Sequence, residues 1–162
     1  MKYYIVDDTH FGHENIKKYC DRPDNYNELI IDNWKKIITN EDVVIHLGDV
    51  CFGRHNYWHN IIKSLPGRFK ILCLGNHDHK SINWYLNNGW NFACTRFAFD
   101  YLGKEILFSH EHIINSNYDL NVHAHSHNSD VILDYDEYLF VLEHNYKPIL
   151  LDSIIKQYCY NK

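Results

Sequence analysis

The sequence has no long hydrophobic run. No stretch approaches the roughly 18 apolar residues of a membrane-spanning helix, and the opening segment "MKYYIVDDTH" has only a short apolar run before two aspartates. We therefore expect neither a membrane span nor a targeting segment. No pair of the 5 cysteines has CxxC spacing, and Cys73 lies within an apolar run. This pattern favours free, buried thiols over a disulfide framework, and hence a reducing, cytoplasmic location.

Blocks of basic residues are also missing. The formal net charge is -5 with histidine counted as neutral, and no cluster of lysine and arginine is present that would follow a phosphate backbone. Strong binding to duplex nucleic acid through charge alone is therefore not expected. The sequence has no linker, repeat or low-complexity segment. With 162 residues, 45% of them apolar, it is long enough to form one hydrophobic core, and we expect a single domain over residues 1–162.

The first half of the chain alternates between strand and helix patterns. Residues 2–6, 42–49 and 68–78 contain apolar, β-branched or aromatic runs, the last two followed by turn residues. Residues 27–38 carry apolar side chains at helical spacing, and residues 57–65 form a second helical pattern that ends before a proline and a glycine. The predicted order is βαβαβ, which is typical of layered α/β folds.

After residue 90 the pattern changes to short strands without long helices between them. The strand candidates are "FACTRFAFDYLG", "KEILFSH", "YDLNVHAHSH", "DVILDY" and "EYLFVLEH", and residues 147–159 have the pattern of a closing helix. Because no linker separates the two halves, these strands predict a second sheet that packs on the first.

Acidic, amide and imidazole side chains recur where the predicted strands end. The motifs are "DDTH", "GD", "GNHD", "SH" and "HAHSH", in chain order. In layered α/β folds the loops after the carboxyl ends of strands carry the functional site. One motif alone is weak, because DxH and GD also occur in ordinary turns, and a lone histidine such as His59 or His144 is expected to be a surface or packing residue. Five such motifs at successive strand ends indicate a metal site.

The types of ligand indicate which metals would bind. Aspartate, asparagine and histidine without cysteine suit manganese, iron or zinc better than a thiolate zinc site. Asp8 and His10 are two residues apart, so an extended backbone would point both to one side. Two divalent ions about 3.5 to 4 Å apart, bridged by a carboxylate, would clamp a phosphoryl group and activate a water molecule. The number of candidate ligands fits two ions.

With the motifs D-x-H, GD, GNHD, H and H-x-H in this order, the sequence resembles the calcineurin-like metallophosphoesterases over residues 8–127. The segments "DDTHFGHENIKKYCDRP" and "LEHNYKPILLDSI" resemble a small branch of that family that lacks a cap domain and occurs in bacteria and their phages. The resemblance implies an α/β fold, with a two-sheet β-sandwich flanked by helices in four layers, α/β/β/α. It also implies a metal-dependent phosphoric ester hydrolase with two divalent ions, manganese first and iron, zinc or nickel as alternatives.

The resemblance assigns a ligand set to each ion. Asp8, His10, Asp49 and His127 would hold one metal, and Asp49, Asn76, His110 and His125 the other, with Asp49 as the bridge. The family pattern Gly-His-x-His places a small residue before the first ligand. Ala124 has that position here, which selects His125 and His127 over His123. Under strand alternation all three histidines would face one side, so we expect His123 to support the ligands or to fill space.

Three positions depart from the family pattern. Asp7 stands where the family often has serine, and it either adds a negative charge beside the site or caps a turn. His112 occupies a position where proline is common, and it is an alternative ligand to His110. The protein-phosphatase branch carries GDxxDRG and GNHE, whereas this sequence has "GDVCFGR" and "GNHD", which argues against a phosphoprotein phosphatase.

The "GNHD" motif also predicts a catalytic acid. We expect His77 to point into the site as the general acid and Asp78 to fix its tautomer. A hydroxide held between the metals would attack phosphorus in line, and His77 would protonate the departing alkoxide. Because an ester alkoxide is a poor leaving group, the presence of His77 favours a phosphodiesterase over a phosphomonoesterase.

Substrate contacts are less clearly defined by the sequence. Arg22 and Arg54 either hold a phosphate or are ordinary surface arginines, while His13 and Asn15 either face the substrate or cap a helix. An open site without a cap domain suits a small phosphorylated substrate such as a cyclic nucleotide or another small diester. The alternatives are a nuclease, a nucleotide phosphomonoesterase and, least favoured, a non-catalytic scaffold of the same fold. The sequence leaves the oligomeric state open.

Overall fold

The computed structural model describes residues 1–114, 117–127 and 137–160. The first half contains β1 (Tyr3–Val6), α1 (Ile16–Tyr19), α2 (Tyr26–Ile37), β2 (Val43–His46), α3 (His55–Ser64), β3 (Phe69–Cys73), α4 (Ile82–Asn87) and β4 (Phe92–Cys94). The second half contains β5 (Arg96–Tyr101), β6 (Lys104–Ser109), β7 (Leu120–His123), β8 (Glu137–Leu139), a 3₁₀ turn (Leu142–His144), β9 (Ile149–Leu150) and α5 (Leu151–Tyr160).

The strands form two mixed sheets. The first has the order β4-β3-β2-β1-β9, in which β9 alone runs antiparallel to its neighbour. The second has the order β5-β6-β7-β8, in which β5 is antiparallel to β6 and the other pairs are parallel. The predicted class, an α/β fold with two sheets flanked by helices, is confirmed.

The alternation of side chains along the strands explains the packing. Ile5 and Ile45 are register partners on β1 and β2, and they belong to the same buried cluster as Ile106 and Val122 of the second sheet. On the other face of β1, Val6 belongs to a second buried cluster together with side chains of β2 and α2. The parallel strands β1 and β2 are therefore covered on both faces, as continuous apolar runs of this kind require.

Most predicted elements of the first half are confirmed, with ends that shift by a few residues. The prediction of one strand in "FACTRFAFDYLG" is wrong, because the chain changes sheets at Thr95: β4 pairs with β3, whereas β5 pairs with β6. The helix predicted over residues 147–159 begins as strand β9, and the predicted strand in "EYLFVLEH" gives way to a 3₁₀ turn. Helices α1 and α4 were not predicted, and "DVILDY" lies outside the described residues.

In the part of the chain that the structure describes, no helix is long and apolar enough to cross a membrane. The thiols of Cys51, Cys73 and Cys94 are free, and Cys20, Cys51 and Cys73 are buried.

Candidate metal centre

The predicted ligands lie in loops that directly follow five strands. Asp8 and His10 follow β1, Asp49 follows β2, Asn76 follows β3, His110 follows β6, and His125 and His127 follow β7. The first two loops continue the parallel pairing of their strands, since the amides of Asp8 and His10 donate to the carbonyls of Gly48 and Asp49 at 3.0 and 2.9 Å. The carboxyl ends of β1, β2 and β3 thus bring their polar residues to one edge, as expected for parallel strands.

Two clusters formed by predicted ligands converge at this edge, and a third group, Cys20, His127 and Glu143, shares His127 with the first of them. The first cluster consists of Asp8, His10 and His127, and the second of Asp49, His110 and His125. Within each cluster, one ligand atom from every residue lies within 4.8 Å of the others. The Asn76 Oδ1 atom, 3.0 Å from His110 Nε2, adds an amide oxygen to the second cluster.

Asp49 lies between the two clusters. Its Oδ2 atom is 3.5 Å from Nε2 of His10 in the first cluster and 3.5 Å from Nε2 of His110 in the second. One carboxylate oxygen is therefore equally close to both groups. The structure brings all seven predicted ligands together, with Asp49 between the two clusters.

Buried atoms without partners in this site fit a bound cation. Within the described residues, Oδ1 of Asp8 and both ring nitrogens of His10 are buried without a hydrogen-bond partner. Burying such groups unpaired is costly, and a divalent cation would satisfy them. Burial lowers the pKa of His10 to about 2, which keeps the imidazole in the neutral form that binds metals. A donor set of oxygen and imidazole nitrogen without sulfur suits manganese, iron or zinc.

Hydrogen bonds on the far side of the histidine rings orient two of the ligands. Nδ1 of His110 lies 2.8 Å from the Leu47 carbonyl oxygen, which can only accept, so we assign Nδ1 as the donor, and Nε2 faces the other members of the second cluster. Nδ1 of His127 lies 2.9 Å from Oε1 of Glu143, and its Nε2 is 3.9 Å from Oδ2 of Asp8. A carboxylate behind a histidine ligand raises the basicity of the ring and fixes its orientation.

Arg22 does not face the open side of the site. Its side chain is 0% exposed, and its Nε donates to Glu143 at 2.8 Å while Nη2 and Nη1 donate to the carbonyls of Asp8 and Thr9 at 2.7 and 3.1 Å. Direct binding of a substrate phosphate by Arg22 is thus contradicted by its burial. Arg22 instead ties the backbone of the first loop to Glu143, a residue that the sequence analysis did not identify.

Asp78 also has a different role from the one predicted. Its Oδ2 accepts hydrogen bonds from the amides of Asp49 and Gly75 at 2.8 and 2.9 Å, and its Oδ1 accepts from Val50 at 3.2 Å. The expectation that Asp78 fixes the tautomer of His77 is wrong, because the carboxylate is occupied by backbone amides. It fastens the loop after β3 to the loop after β2. Burial raises the pKa of Asp78 to about 6.

His77 lies at the open edge of the site. Its amide donates to Oδ1 of Asp49 at 2.8 Å, and its ring Nε2 is 3.9 Å from Oδ2 of the same residue. The side chain is 38% exposed. The backbone of His77 is therefore fixed by the residue in the bridging position, while its ring remains accessible to a substrate.

The close approach of two loops requires glycine at two positions. A Cβ atom on Gly75 would lie 2.1 Å from Oδ1 of Asp49 and 2.5 Å from its amide nitrogen. A Cβ atom on Gly48, where φ is +110°, would lie 2.6 Å from the amide nitrogen of Gly75 and 2.8 Å from Nδ1 of His110. Any side chain at either position would displace a predicted ligand.

Four predicted ligands have left-handed backbone conformations, with φ values of 38° at Asp8, 43° at His10, 53° at Asp49 and 70° at His125. The expected extended geometry through Asp8 and His10 is therefore wrong, as is the alternation through residues 123–127, because β7 ends at His123. A left-handed residue other than glycine costs about 1 to 2 kcal/mol, and such strain concentrates at functional sites.

Three residues for which the sequence left alternative roles, His123, His112 and Asp7, lie outside the two clusters. His123 is buried outside both clusters, with its ring 5.3 Å from that of His112, and Nε2 of His112 pairs with Glu137. Asp7 is fully buried, and neither of its carboxylate oxygens has a hydrogen-bond partner within the described residues, so it does not cap a turn. Burial, reinforced by the charge of Asp8, raises the pKa of Asp7 well above its usual range.

The other predicted substrate residues differ in their placement. The His13 ring lies 5.4 Å from the His10 ring and 6.4 Å from the His77 ring, which places it beside the first cluster. Asn15 is exposed at the start of α1, and its side chain makes no capping hydrogen bond. Arg54 is exposed before α3, with its guanidinium 4.3 Å from the Tyr57 ring centroid.

His46, which the sequence analysis did not identify, is buried and contacts the loops after β1 and β2. Its Nδ1 accepts from the Gly48 amide at 3.1 Å, and its Nε2 is 3.0 Å from Oγ1 of Thr9. Because the Thr9 hydroxyl donates to the Val50 carbonyl, the neutral ring donates to Thr9 and uses both of its nitrogens. Burial lowers the pKa of His46 to about 3. The position at the end of the apolar strand β2 was its only sequence signal.

Two packed mixed sheets, with carboxylate and imidazole clusters at the strand ends, define the molecule as an α/β protein with a candidate metal centre. The family model for calcineurin-like phosphoesterases matches residues 1–159, and the chain belongs to this family. The predicted resemblance is thereby confirmed.

One protein of similar sequence and two solved structures resemble this chain over most of its length. An uncharacterized protein of Methanocaldococcus jannaschii, MJ1445, is 29% identical over 177 residues, which cover 96% of this chain and 90% of the relative. The crystal structure of a protein of unknown function from Aquifex aeolicus, AQ665, is 30% identical with a TM-score of 0.79, covering 96% of this chain and 98% of the other. An archaeal phosphodiesterase, 17% identical with a TM-score of 0.50, covers 87% of this chain and 82% of its own and shares the fold.

Proposed function

We propose that this protein is a phosphodiesterase that uses two divalent metal ions to hydrolyse a cyclic nucleotide or another small phosphodiester. The observation that carries the proposal is the position of Asp49, whose Oδ2 atom is 3.5 Å from a ring nitrogen of each cluster. A single carboxylate between two ligand groups is the arrangement that a two-metal site needs.

The ligand groups divide between the two ions around this carboxylate. Asp8, His10, Asp49 and His127 would hold one ion, and Asp49, Asn76, His110 and His125 the other. When bound, the two ions supply Lewis-acid stabilisation of the phosphoryl oxygens and a nucleophile generated from water. We propose manganese as the first choice, with iron, zinc and nickel as alternatives.

His77 would act as the general acid. Its ring is accessible at the edge of the site, and its backbone is held by Asp49, so the imidazole can reach the oxygen that leaves phosphorus. Donating a proton to this oxygen matters most for alkoxide leaving groups, which are strongly basic. The presence of His77 therefore supports a diesterase more than a monoesterase, and nucleotide phosphomonoesters are the second substrate class.

The remaining alternatives receive less support. The net charge of -5 disfavours a nuclease that grips duplex nucleic acid. A non-catalytic scaffold would have no need of seven converging donors, four of them in strained backbone conformations. These features favour an enzyme with a small phosphorylated substrate.

Metal analysis combined with an activity assay tests the proposal. Protein reconstituted with manganese should contain about two ions per chain and hydrolyse bis-p-nitrophenyl phosphate, and chelation should abolish hydrolysis until manganese is restored. Asp49→Asn should lower both metal content and turnover. Failure to bind manganese, zinc, iron or nickel would refute the two-metal site, and two bound ions without any esterase activity would favour the scaffold.

His77→Ala tests the general acid separately from metal binding. We expect the variant to keep its metal ions but to lose roughly 10²- to 10⁴-fold in turnover of an alkyl diester. The loss should be smaller for p-nitrophenyl esters, because nitrophenolate needs little protonation to leave. His79→Ala, at an exposed neighbouring position, serves as the control. Unchanged turnover of the alkyl diester by His77→Ala would remove this residue from the mechanism.

A further inference from the structure

Three rings, two of them exposed, lie beside the metal centre near His77. We call Tyr19, His13 and Phe52 the aromatic rim. The Phe52 ring stacks on the His13 ring with centroids 4.4 Å apart and an interplanar angle of 17°, and Tyr19 meets His13 edge-on at 6.4 Å. Because His13 itself lies 5.4 Å from the His10 ring, the aromatic rim directly adjoins the first cluster.

The Phe52 ring offers an open face beside the proposed acid. Its centroid is 6.0 Å from that of His77, at an interplanar angle of 71°, and Phe52 is 49% exposed. One side of the ring is covered by His13, and the exposed part faces solvent. A phenyl ring held in this way is a stacking platform, of the kind that binds nucleobases regardless of their sequence.

Next to Phe52 along the chain lies a cationic pocket. This pocket is a shallow, open depression of about 390 Å³, lined by Arg54, His55, Asn56, Tyr57 and Lys80. Its lining includes two cations and no carboxylate, and within the described residues neither Arg54 nor Lys80 forms an ion pair with an acidic side chain. The Arg54 guanidinium also lies over the ring of Tyr57, a second lining residue, at 4.3 Å from its centroid. Such a pocket is suited to a phosphate group.

We propose that the group leaving phosphorus is a nucleoside whose base packs on the open face of Phe52, and that Arg54 and Lys80 bind the next phosphate of a longer strand. The inference rests on the proposed function, because it is the proton donor His77 that marks the leaving-group side. Hydrolysis forms one P–O bond from water and breaks the P–O bond to the nucleoside, whose oxygen takes its proton from His77. Bases in a duplex are stacked on each other, so the substrate is a dinucleotide or a single-stranded end.

A comparison of dinucleotides with and without a base tests the stacking. Thymidylyl-thymidine is compared with two analogues, in each of which one base is removed and the sugar is retained, and product analysis identifies the leaving nucleoside. For the wild-type protein, removing the base of the leaving nucleoside should lower kcat/KM about 5- to 150-fold. Removing the base of the other nucleoside should have a much smaller effect.

The variant Phe52→Leu should remove the preference for this base. In a double-mutant cycle, the ratio of kcat/KM with and without the leaving base should fall towards one in Phe52→Leu. Phe69→Leu is the matched control, since Phe69 is 41% exposed but lies at the amino end of β3, away from the metal centre. It should retain the wild-type ratio. An equal base preference in Phe52→Leu and wild type, or a preference for the base on the other nucleoside, would overturn the proposal.

The cationic pocket is tested with a longer substrate, which also separates strand ends from free dinucleotides. The trinucleotide should have a higher kcat/KM than the dinucleotide at low salt, and Arg54→Ala or Lys80→Ala should abolish this gain. No gain with the trinucleotide would overturn the phosphate pocket. Hydrolysis of bis-p-nitrophenyl phosphate by the same preparations separates the phosphodiesterase proposal from the stacking proposal. If this substrate is not hydrolysed, the proposed function fails. If it is hydrolysed but the dinucleotides show no base preference, only the stacking is refuted.

Discussion

Replacing Glu143 should weaken metal binding, because this residue is hydrogen-bonded to the proposed ligand His127. Its Oε1 atom lies 2.9 Å from Nδ1 of His127 and also accepts from Nε of Arg22 at 2.8 Å. Burial opposes ionisation of Glu143, but the hydrogen bond from His127 and the charge of Arg22 together lower its pKa. It is therefore a carboxylate at neutral pH. Partners of this kind are worth about 10- to 100-fold in metal affinity.

The same pair also affects stability, and the two effects have to be separated. Glu143→Ala leaves the Arg22 guanidinium, which is 0% exposed, without its counterion. Breaking a buried ion pair in this way costs about 3 to 5 kcal/mol in the free energy of unfolding. Replacing both partners together, as Arg22→Met with Glu143→Leu, should recover much of this loss because no buried charge remains.

Calorimetric titration of the metal-free protein with manganese, together with urea unfolding, measures both quantities. We expect Glu143→Gln and the double variant to bind manganese about 10- to 100-fold more weakly, the double variant with largely recovered stability. Glu111→Gln, an exposed glutamate next to His110, is the control. An unchanged dissociation constant in Glu143→Gln, or full recovery of metal affinity in the double variant, would refute the positioning role of Glu143.

Three further predictions concern the ligands, the loops and the pH dependence. His125→Ala and His127→Ala should each lower the metal content and abolish most of the activity. His123→Ala should keep two ions, with a loss of at most about 10- to 100-fold in metal affinity. An empty metal site in His123→Ala alone would contradict the ligand assignment. Gly75→Ala should lower metal content sharply in a folded protein, because its Cβ would meet Oδ1 of Asp49 at 2.1 Å, and normal metal content would disprove this steric argument. Burial lowers the pKa of His46 from 6.5 to about 3, so between these pH values the unfolded chain binds more protons than the folded protein. The contribution of the neutral His46 ring to the free energy of unfolding is therefore complete above about pH 6.5. It is lost on acidification by up to about 1.4 kcal/mol per pH unit. Urea unfolding of the metal-free protein at pH 7 and pH 5 should show a shallower pH dependence for His46→Asn, and an identical dependence would contradict the neutral, buried ring.

The convergence of the proposed metal ligands at one edge could be predicted because their positions are local in sequence. Each follows a strand directly, and parallel strands deliver their carboxyl ends to one edge regardless of details elsewhere. Asp49 after β2 and Asn76 after β3 are examples. The same logic explains why the two-sheet architecture could be predicted from the order and length of the apolar runs.

What could not be predicted depends on contacts between distant segments. The pairing of Arg22 with Glu143 joins residues 121 positions apart, and no local pattern distinguishes this glutamate from an exposed one. The left-handed conformation of Asp8 arises where two loops run side by side, which the spacing of the residues does not encode. The change of sheet at Thr95 was missed because the runs on both sides are similarly apolar, so their periodicity does not show which neighbour each one pairs with.

The distribution of the site along the chain has a consequence for its biosynthesis. Asp8 follows the first strand, whereas Glu143 and strand β9, which pairs with β1 through Ile149 and Ile5, are synthesised more than 130 residues later. A ribosome-bound chain that has emerged only as far as β6 lacks His125, His127 and the carboxylate that orients the latter. Under the proposed ligand assignment, the full set of ligands together with Glu143 is present only after residue 143 has been synthesised, so strands β1 to β4 emerge from the ribosome before that set exists.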